Sequence, residues 1–136
     1  MKKIFGFILL CATMLISTSC EKEGIHKNSI RGLYYYEYGS DYGIPQRDVY
    51  NFTSKNSVTY YPYLTKDPST KWSYGENIPF EERSGSGWWR SEYNIWTLTY
   101  YIVDNKVYIS NGDILTISGN TLIKDGYGKQ VFRIWN

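Results

Sequence analysis

Apolar and polar residues alternate with a period of two along most of the chain from Ile30 onward. No window of about eleven residues in this part has the apolar spacing of three and four that an amphipathic helix needs. Successive side chains of a strand point to opposite faces, so this alternation is typical of strands with one buried face. We therefore expect residues 30–136 to form a single all-β domain.

Turn-forming residues divide the alternating pattern into short segments. They are clearest in the C-terminal third, at Asp104-Asn105, Asn111-Gly112 and Gly119-Asn120. Tight turns of this composition join antiparallel neighbours. The aromatic and β-branched segments between the turns predict strands at residues 31–38, 48–53, 57–63, 92–103, 106–110, 113–118, 121–124 and 129–135, with short strands at 72–74 and 78–82.

The predicted strands also indicate which side chains form the core. The longest strand has its more apolar face at Trp96, Leu98, Tyr100 and Ile102. We expect this face to continue through Val107, Ile109, Leu115, Ile117, Phe132 and Ile134. Roughly seven to nine strands in meander order fit a small antiparallel β-barrel or a two-sheet β-sandwich. Closure removes exposed strand edges, so the barrel is the favoured prediction.

The first twenty residues, MKKIFGFILLCATMLISTSC, have the layout of an export signal: two lysines, an apolar run and small polar residues. The apolar run from Ile4 to Ile16 is shorter than the roughly 20 residues of a membrane-spanning helix. This segment resembles a bacterial lipoprotein precursor. The resemblance implies a signal peptide at residues 1–19 and a lipid anchor on Cys20, with simple secretion as the alternative.

A polar stretch follows the cysteine, and we expect residues 20–29 to form the lipidated cysteine and its tether. Acidic residues beside the cysteine, in Glu21-Lys22-Glu23-Gly24, resemble the surface-export signals of Bacteroidetes-type lipoproteins. The expected location is the outer membrane, with the protein on its periplasmic face or at the cell surface. Cys20 would attach the protein to that membrane.

Charge and the absence of reactive side chains exclude several functions. Removing the signal peptide with Lys2 and Lys3 leaves thirteen basic and thirteen acidic residues, so there is no positive field for nucleic acid. Cys20 would be the only remaining thiol, so an intrachain disulfide is excluded. His26, the only histidine, lies in the tether, which excludes histidine-dependent catalytic triads and His/Cys zinc sites in the domain. We expect a monomer that is not an enzyme and has no cofactor or metal.

The densest aromatic cluster of the sequence is the candidate ligand-binding site. It consists of Trp72, Tyr74, Trp88, Trp89 and Tyr93. Flat aromatic faces next to polar groups pack on sugar rings or hydrophobic ligands, while N–H and O–H groups orient them. The structural alternative is that one tryptophan closes the barrel and its neighbour lies on the surface.

The order of strands carries a second resemblance. The segments IRGLYYYEY, VYNFTSKNSVTYY, NIWTLTYYIVDNKVYISNGDILTISGNTLI and KQVFRIW resemble the small lipocalin-like lipoproteins of Bacteroidetes. The resemblance implies a β-barrel that binds a small ligand, and it transfers no catalytic residue. We therefore expect a non-catalytic, lipid-anchored cell-envelope protein that binds a small hydrophobic or glycan-like ligand. The alternative is an envelope interaction protein with a filled barrel that binds another protein.

Overall fold

The structure is a computed structural model that describes residues 22–39, 43–66, 80–82, 87–91, 95–126 and 128–135. All regular elements in these ranges are β-strands. In chain order they are β1 (Gly24–Ile25), β2 (Ile30–Gly39), β3 (Pro45–Phe52), β4 (Ser57–Thr65), β5 (Phe80–Glu82), β6 (Trp89–Ser91), β7 (Trp96–Val103), β8 (Lys106–Ile109), β9 (Ile114–Ser118), β10 (Thr121–Gly126) and β11 (Gly128–Ile134).

Eight of these strands close into an antiparallel barrel. They follow one another in the order β2, β3, β4, β7, β8, β9, β10 and β11, and β11 returns to pair with β2. Three short strands extend the sheet: β1 pairs with β2, while the β5–β6 hairpin joins the end of β4 through Thr65 and Trp89. The predicted small meander barrel is confirmed, and the sandwich alternative is not adopted.

The predicted hairpins are present where turn-forming residues interrupt the alternation. In the turn between β3 and β4, the Thr53 N–H donates to the Ser57 carbonyl at 3.1 Å. Between β8 and β9, Gly112 has φ +96° and its N–H donates to the Ile109 carbonyl at 2.9 Å. A positive φ of this kind favours glycine. The predicted strand at 72–74 and the start of the one at 92–103 lie outside the described residues.

One end of the barrel, here called the closed end, is where β2 begins and the β3–β4 turn lies. Its interior is filled, and Phe52 packs edge-on against Tyr100 with ring centroids 5.0 Å apart. The Tyr100 hydroxyl donates to the Ser54 carbonyl at 2.7 Å and accepts from the Ile30 N–H at 3.0 Å. The eleven buried core residues are Ile30, Tyr34, Tyr50, Phe52, Val58, Tyr100, Val107, Ile109, Leu115, Leu122 and Phe132.

The core confirms most of the predicted inward face, but Trp96 is an exception. Leu98 and Ile102 pack against the buried residues beside Tyr100. Trp96 is 55% exposed because it is the first residue of β7, opposite Tyr60, where the apolar core has already ended. Alternation therefore identified the face of Trp96 correctly and its burial wrongly.

A second apolar cluster lies on the outside of the barrel. A bulge in β4 creates it: Tyr61 pairs with Val49, whereas Leu64 pairs with Arg47, so β4 has one extra residue there. The extra residue turns Leu64 to the same outward face as Val49. We call this the outer cluster; it contains Val49, Leu64 and Trp88, with Leu33, Tyr35, Tyr61 and Trp135 packed around them.

The segment before β2 folds back onto the barrel. Gly24 and Ile25 pair with Arg31 and Ile30, and Ile25 packs against the core. The His26 N–H donates to the carbonyl of Ser29 at 2.8 Å, which closes the turn between the two strands. Within the stretch predicted as a tether, residues 24–29 are therefore held against the closed end.

Candidate functional site

The barrel end opposite the closed end carries charged and hydroxyl groups at inward positions. Asp48 lies two and four positions before the buried Tyr50 and Phe52 on β3, and Lys124 lies two positions after the buried Leu122 on β10. Since alternate residues of a strand share a face, Asp48 and Lys124 point toward the interior. We call the group Tyr38, Asp48, Tyr50, Tyr60, Asp113 and Lys124 the mouth cluster.

Asp113 is held by three other side chains. Tyr50 donates a hydrogen bond to Asp113 across the barrel, and the Asn111 amide donates to the same carboxylate at 3.0 Å. The ammonium group of Lys124 lies 3.3 Å from the other carboxylate oxygen. The local sequence helps to position Asp113, because its N–H donates to the Asn111 side chain at 2.9 Å in an Asx-type turn.

Asp48 is held by the bulge in β4. The Tyr38 hydroxyl donates to its Oδ1 at 3.0 Å, and the backbone N–H of Tyr63 donates to the same oxygen at 3.2 Å. Tyr63 has φ +61°, a conformation that costs free energy in a non-glycine residue. The bulge therefore directs a backbone donor onto a carboxylate inside the mouth.

The two carboxyl groups are shifted in opposite directions. Burial raises the pKa of Asp48, although the hydrogen bonds from Tyr63 and Tyr38 and the charge of Lys124 oppose this. Burial also acts to raise the pKa of Asp113, but the Tyr50 hydrogen bond and Lys124 lower it below its usual value. Neighbouring titratable groups with diverging pKa values are typical of functional sites.

Tyr50 and Tyr60 of the mouth cluster stay protonated at neutral pH. Burial raises the pKa of Tyr50, with a further increase from its hydrogen bond to Asp113. Burial and the nearby charge of Asp48 raise the pKa of Tyr60. The two rings stack with centroids 4.7 Å apart and an interplanar angle of 21°. Tyr50 is fully buried, and the partly exposed residues of the mouth cluster are Tyr38, Asp48, Tyr60, Asp113 and Lys124.

This arrangement suits recognition of a polar small molecule. Carboxylates accept hydrogen bonds from ligand hydroxyl groups, the ammonium group donates them, and aromatic rings pack on the apolar faces of sugars. Groups of three or more His, Cys, Asp or Glu side chains that could hold a metal do not occur among the described residues. The mouth cluster can hold a ligand through hydrogen bonds.

The predicted site residues lie elsewhere or outside the described ranges. Trp88 is buried in the outer cluster, edge-on against Trp135 with centroids 6.0 Å apart. Trp89 is the first residue of β6, opposite Thr65. Trp72, Tyr74 and Tyr93 lie outside the described residues, so the five predicted positions are not seen together in one site.

Sequence reasoning missed the mouth cluster, although a signal for it was present. Asp48 and Lys124 occupy core-facing positions of their strands, and a charged side chain at such a position calls for a specific partner. Asp113 follows Asn111-Gly112 and looks like an ordinary turn residue in the sequence. Only barrel closure brings its carboxylate to Tyr50, 63 positions away.

Within the part of the chain that the structure describes, there is no helix with the length and apolarity to cross a bilayer. Comparison with known proteins adds no identification to the geometry. No family model matches the chain, and no significant match exists among curated proteins or solved structures.

Proposed function

We propose that this protein is a non-catalytic, lipid-anchored cell-envelope barrel that binds a small glycan-like ligand at its mouth. The observation that carries the proposal is the pair of inward carboxylates, Asp48 and Asp113, flanked by Lys124 and stacked tyrosines. Charged groups at core-facing positions cost stability unless they are paired and hydrogen-bonded, and binding a ligand is a reason for a protein to retain them. Aromatic faces combined with hydrogen-bonding groups favour a polyhydroxyl ligand.

The filled interior favours a polar ligand over a hydrophobic one. A hydrophobic guest needs an apolar cavity inside the barrel, and an eight-stranded barrel has room either for its own side chains or for one small ligand. Here the buried rings of Phe52 and Tyr100 occupy the closed end, and Phe132 packs beside Tyr50 nearer the mouth. Of the two expected ligand classes, the glycan-like class therefore has the stronger support.

The fold of the N-terminal segment supports an orientation for an anchored barrel. With a lipid on Cys20, only three residues would separate the anchor from β1 at Gly24, and the four Cα-to-Cα steps reach at most about 14 Å. Because β1 pairs at the start of β2, the closed end would face the membrane. The mouth would then face away from the lipid and toward ligands in solution.

A protein partner is the alternative function, and one observation favours it. Tyr101 and Tyr108 stack on the outer face of β7 and β8 with centroids 5.1 Å apart. Tyr101 is 61% exposed, and the neighbouring Ile114 on β9 is 47% exposed. Exposed tyrosines of this kind are frequent in the energetic centres of protein interfaces.

The proposal is tested by titrating the full chain in neutral detergent with a panel of neutral mono- and oligosaccharides while recording NMR spectra. We expect a bound sugar to shift the signals of the mouth cluster, and the variant Asp48→Asn to weaken binding. The matched control is Asp104→Asn, which makes the same change of charge in an exposed turn.

Two results would contradict glycan binding at the mouth. One is a folded protein that responds to no saccharide of the panel. The other is a response confined to Tyr101 and Tyr108, with Asp48→Asn and Asp104→Asn indistinguishable from the parent. The second result would move attention to the outer face of β7 and β8.

A further inference from the structure

The pairing at the seam between β2 and β11 is incomplete among the described residues. These strands pair at Tyr34 with Ile134 and at Tyr35 with Arg133, and the ladder stops there. On their other sides both strands remain paired beyond this point: β2 with β3 as far as Gly39, and β11 with β10 as far as Gly128. The two strands therefore separate toward the mouth.

The separation leaves a cleft of about 400 Å³ on the outer side of the seam. Its lining includes Tyr35, Glu37 and Arg47 on one side and Lys129, Val131 and Arg133 on the other. We call this space the seam cleft. It is distinct from the mouth cluster, with which it shares none of these residues.

Backbone donors face into the seam cleft. The Trp135 N–H donates to the Leu33 carbonyl at 2.7 Å, so the polar backbone groups of Leu33 point toward β11. The backbone N–H and C=O groups of alternate residues in a strand point to the same side. After Leu33, those of Tyr35 and Glu37 therefore also point toward β11. The same argument directs the backbone N–H of Val131 toward β2. Because the described ladder ends at Tyr35 and Arg133, these N–H groups are directed into the cleft.

A guanidinium group is fixed at the edge of the seam cleft. The central carbon of the Arg47 guanidinium lies 3.9 Å from the ring centre of Tyr35, 4.2 Å from that of Trp88 and 4.5 Å from that of Trp135. Its Nε donates to Glu37 at 2.9 Å, and its side chain is only 14% exposed. An arginine held by three rings loses little further freedom when it binds an anion.

The remaining charges of the seam cleft favour an anion. Every second residue of β11 from position 129 points outward, so the side chains of Lys129, Val131 and Arg133 share the outer face. The nearby carboxylates are Glu37, already bonded to Arg47, and Asp125, which is opposite Lys129 on β10. Three cations against two carboxylates leave one positive charge in excess.

We propose that the seam cleft binds the carboxylate or phosphate group of a small acidic ligand. Arg47, Lys129 and Arg133 supply the charge, and the backbone N–H groups of Glu37 and Val131 supply directed hydrogen bonds. Charge-assisted bonds from arginine to such oxyanions are short and strong. The proposal does not depend on glycan binding, since it uses none of the mouth cluster.

The test uses the full chain in neutral detergent, titrated with inorganic phosphate, with glucuronate and with glucose as the uncharged match to glucuronate. We expect phosphate and glucuronate, but not glucose, to shift the amide signals of Glu37 and Val131. Arg133→Gln should weaken binding about tenfold or more, because one charge-assisted bond is lost. Lys129→Gln is a second variant, which removes another of the three cations of the seam cleft at an exposed position.

Two further variants separate a defined site from general attraction of anions. Glu37→Gln removes the carboxylate that competes for Arg47 and should tighten binding severalfold. Lys106→Gln changes the net charge as Arg133→Gln does, but on β8, three strands from β11, and should leave binding unchanged. Equal weakening by Lys106→Gln and Arg133→Gln would overturn the proposal. So would the absence of a shift at Glu37 and Val131 with all three anions: phosphate, glucuronate and phosphatidylglycerol in mixed micelles.

Mixed micelles containing phosphatidylglycerol identify the source of the anion. If the two amides shift with phosphate or glucuronate in neutral micelles, the ligand is a soluble acid. If they shift only when phosphatidylglycerol is present, the anion site stands and its ligand is a lipid headgroup. A cleft that responds to none of the three anions does not bind anions.

Discussion

Tyr100 and Ile30 are 70 positions apart in the chain, and the N–H of Ile30 donates to the Tyr100 hydroxyl at 3.0 Å. The same hydroxyl donates to the carbonyl of Ser54 at 2.7 Å. One phenol therefore ties the first residue of β2 and the β3–β4 turn to β7. This contact holds the closed end of the barrel together without a disulfide.

Removing that hydroxyl should weaken the closed end. Tyr100→Phe keeps the ring but leaves buried backbone groups with fewer partners, which costs about 1–3 kcal/mol of unfolding free energy. Urea unfolding measures the loss, and faster hydrogen exchange of the Ile30 amide would locate it. Tyr108→Phe, which removes a hydroxyl on the outer face, should change stability by less than about 0.5 kcal/mol. Equal losses in both variants would contradict the assigned role of Tyr100.

Asp113→Asn should destabilise the protein most at neutral pH. Folding lowers the pKa of Asp113 from its ordinary value of 3.8, so the stabilisation is complete above that value and is lost as pH falls through the folded pKa. The loss at neutral pH should be about 1–3 kcal/mol, since a charge-assisted bond is removed. Denaturant unfolding across the acid range should show the difference from the parent shrinking at low pH. A difference independent of pH would contradict the pairing with Tyr50 and Lys124.

Asp48→Asn should have the opposite pH dependence. Folding raises the pKa of Asp48 above 3.8, so the folded state holds its proton where the unfolded state has lost it. Parent stability then decreases as pH rises from 3.8 through the folded pKa. Asparagine keeps an oxygen for the Tyr38 and Tyr63 donors but does not ionise. The stability of Asp48→Asn relative to the parent should therefore rise over this range and then level off; a decrease would contradict it.

Two tryptophans provide a matched test of the outer cluster. Trp88→Ala removes a ring that is 3% exposed and packs on Trp135 and Arg47, so we expect a loss of about 3–5 kcal/mol. Trp96→Ala removes a ring that is 55% exposed and should cost less than about 1 kcal/mol. Calorimetric unfolding of both variants measures these losses. The packing of Trp88 would be in doubt if Trp96→Ala were the more destabilising.

The period of two and the turn residues were sufficient to predict the eight barrel strands and their antiparallel order, but they did not predict β1 (Gly24–Ile25) or β6 (Trp89–Ser91). Gly112 illustrates this, because its turn depends only on local backbone conformation and is visible in the sequence. The inward positions of Tyr100, Val107 and Leu115 followed from alternation alone, since the face of a residue within its strand is a local property.

Contacts between strands distant in sequence were decided only in three dimensions. Alternation leaves open what covers an outward face, so it did not predict that Trp88 packs in the outer cluster against Val49 and Leu64. It also leaves open where the core ends, and Trp96 lies beyond that limit.

The mouth cluster depends on the same long-range closure. Asp48 meets the Tyr63 N–H through a one-residue bulge, and Asp113 meets Tyr50 only because the strands form a ring. The sequence by itself determined an all-β meander with a largely correct inward face. The tertiary structure alone decided which inward and outward groups meet, because barrel closure and the bulge set the distances between strands that no local pattern encodes.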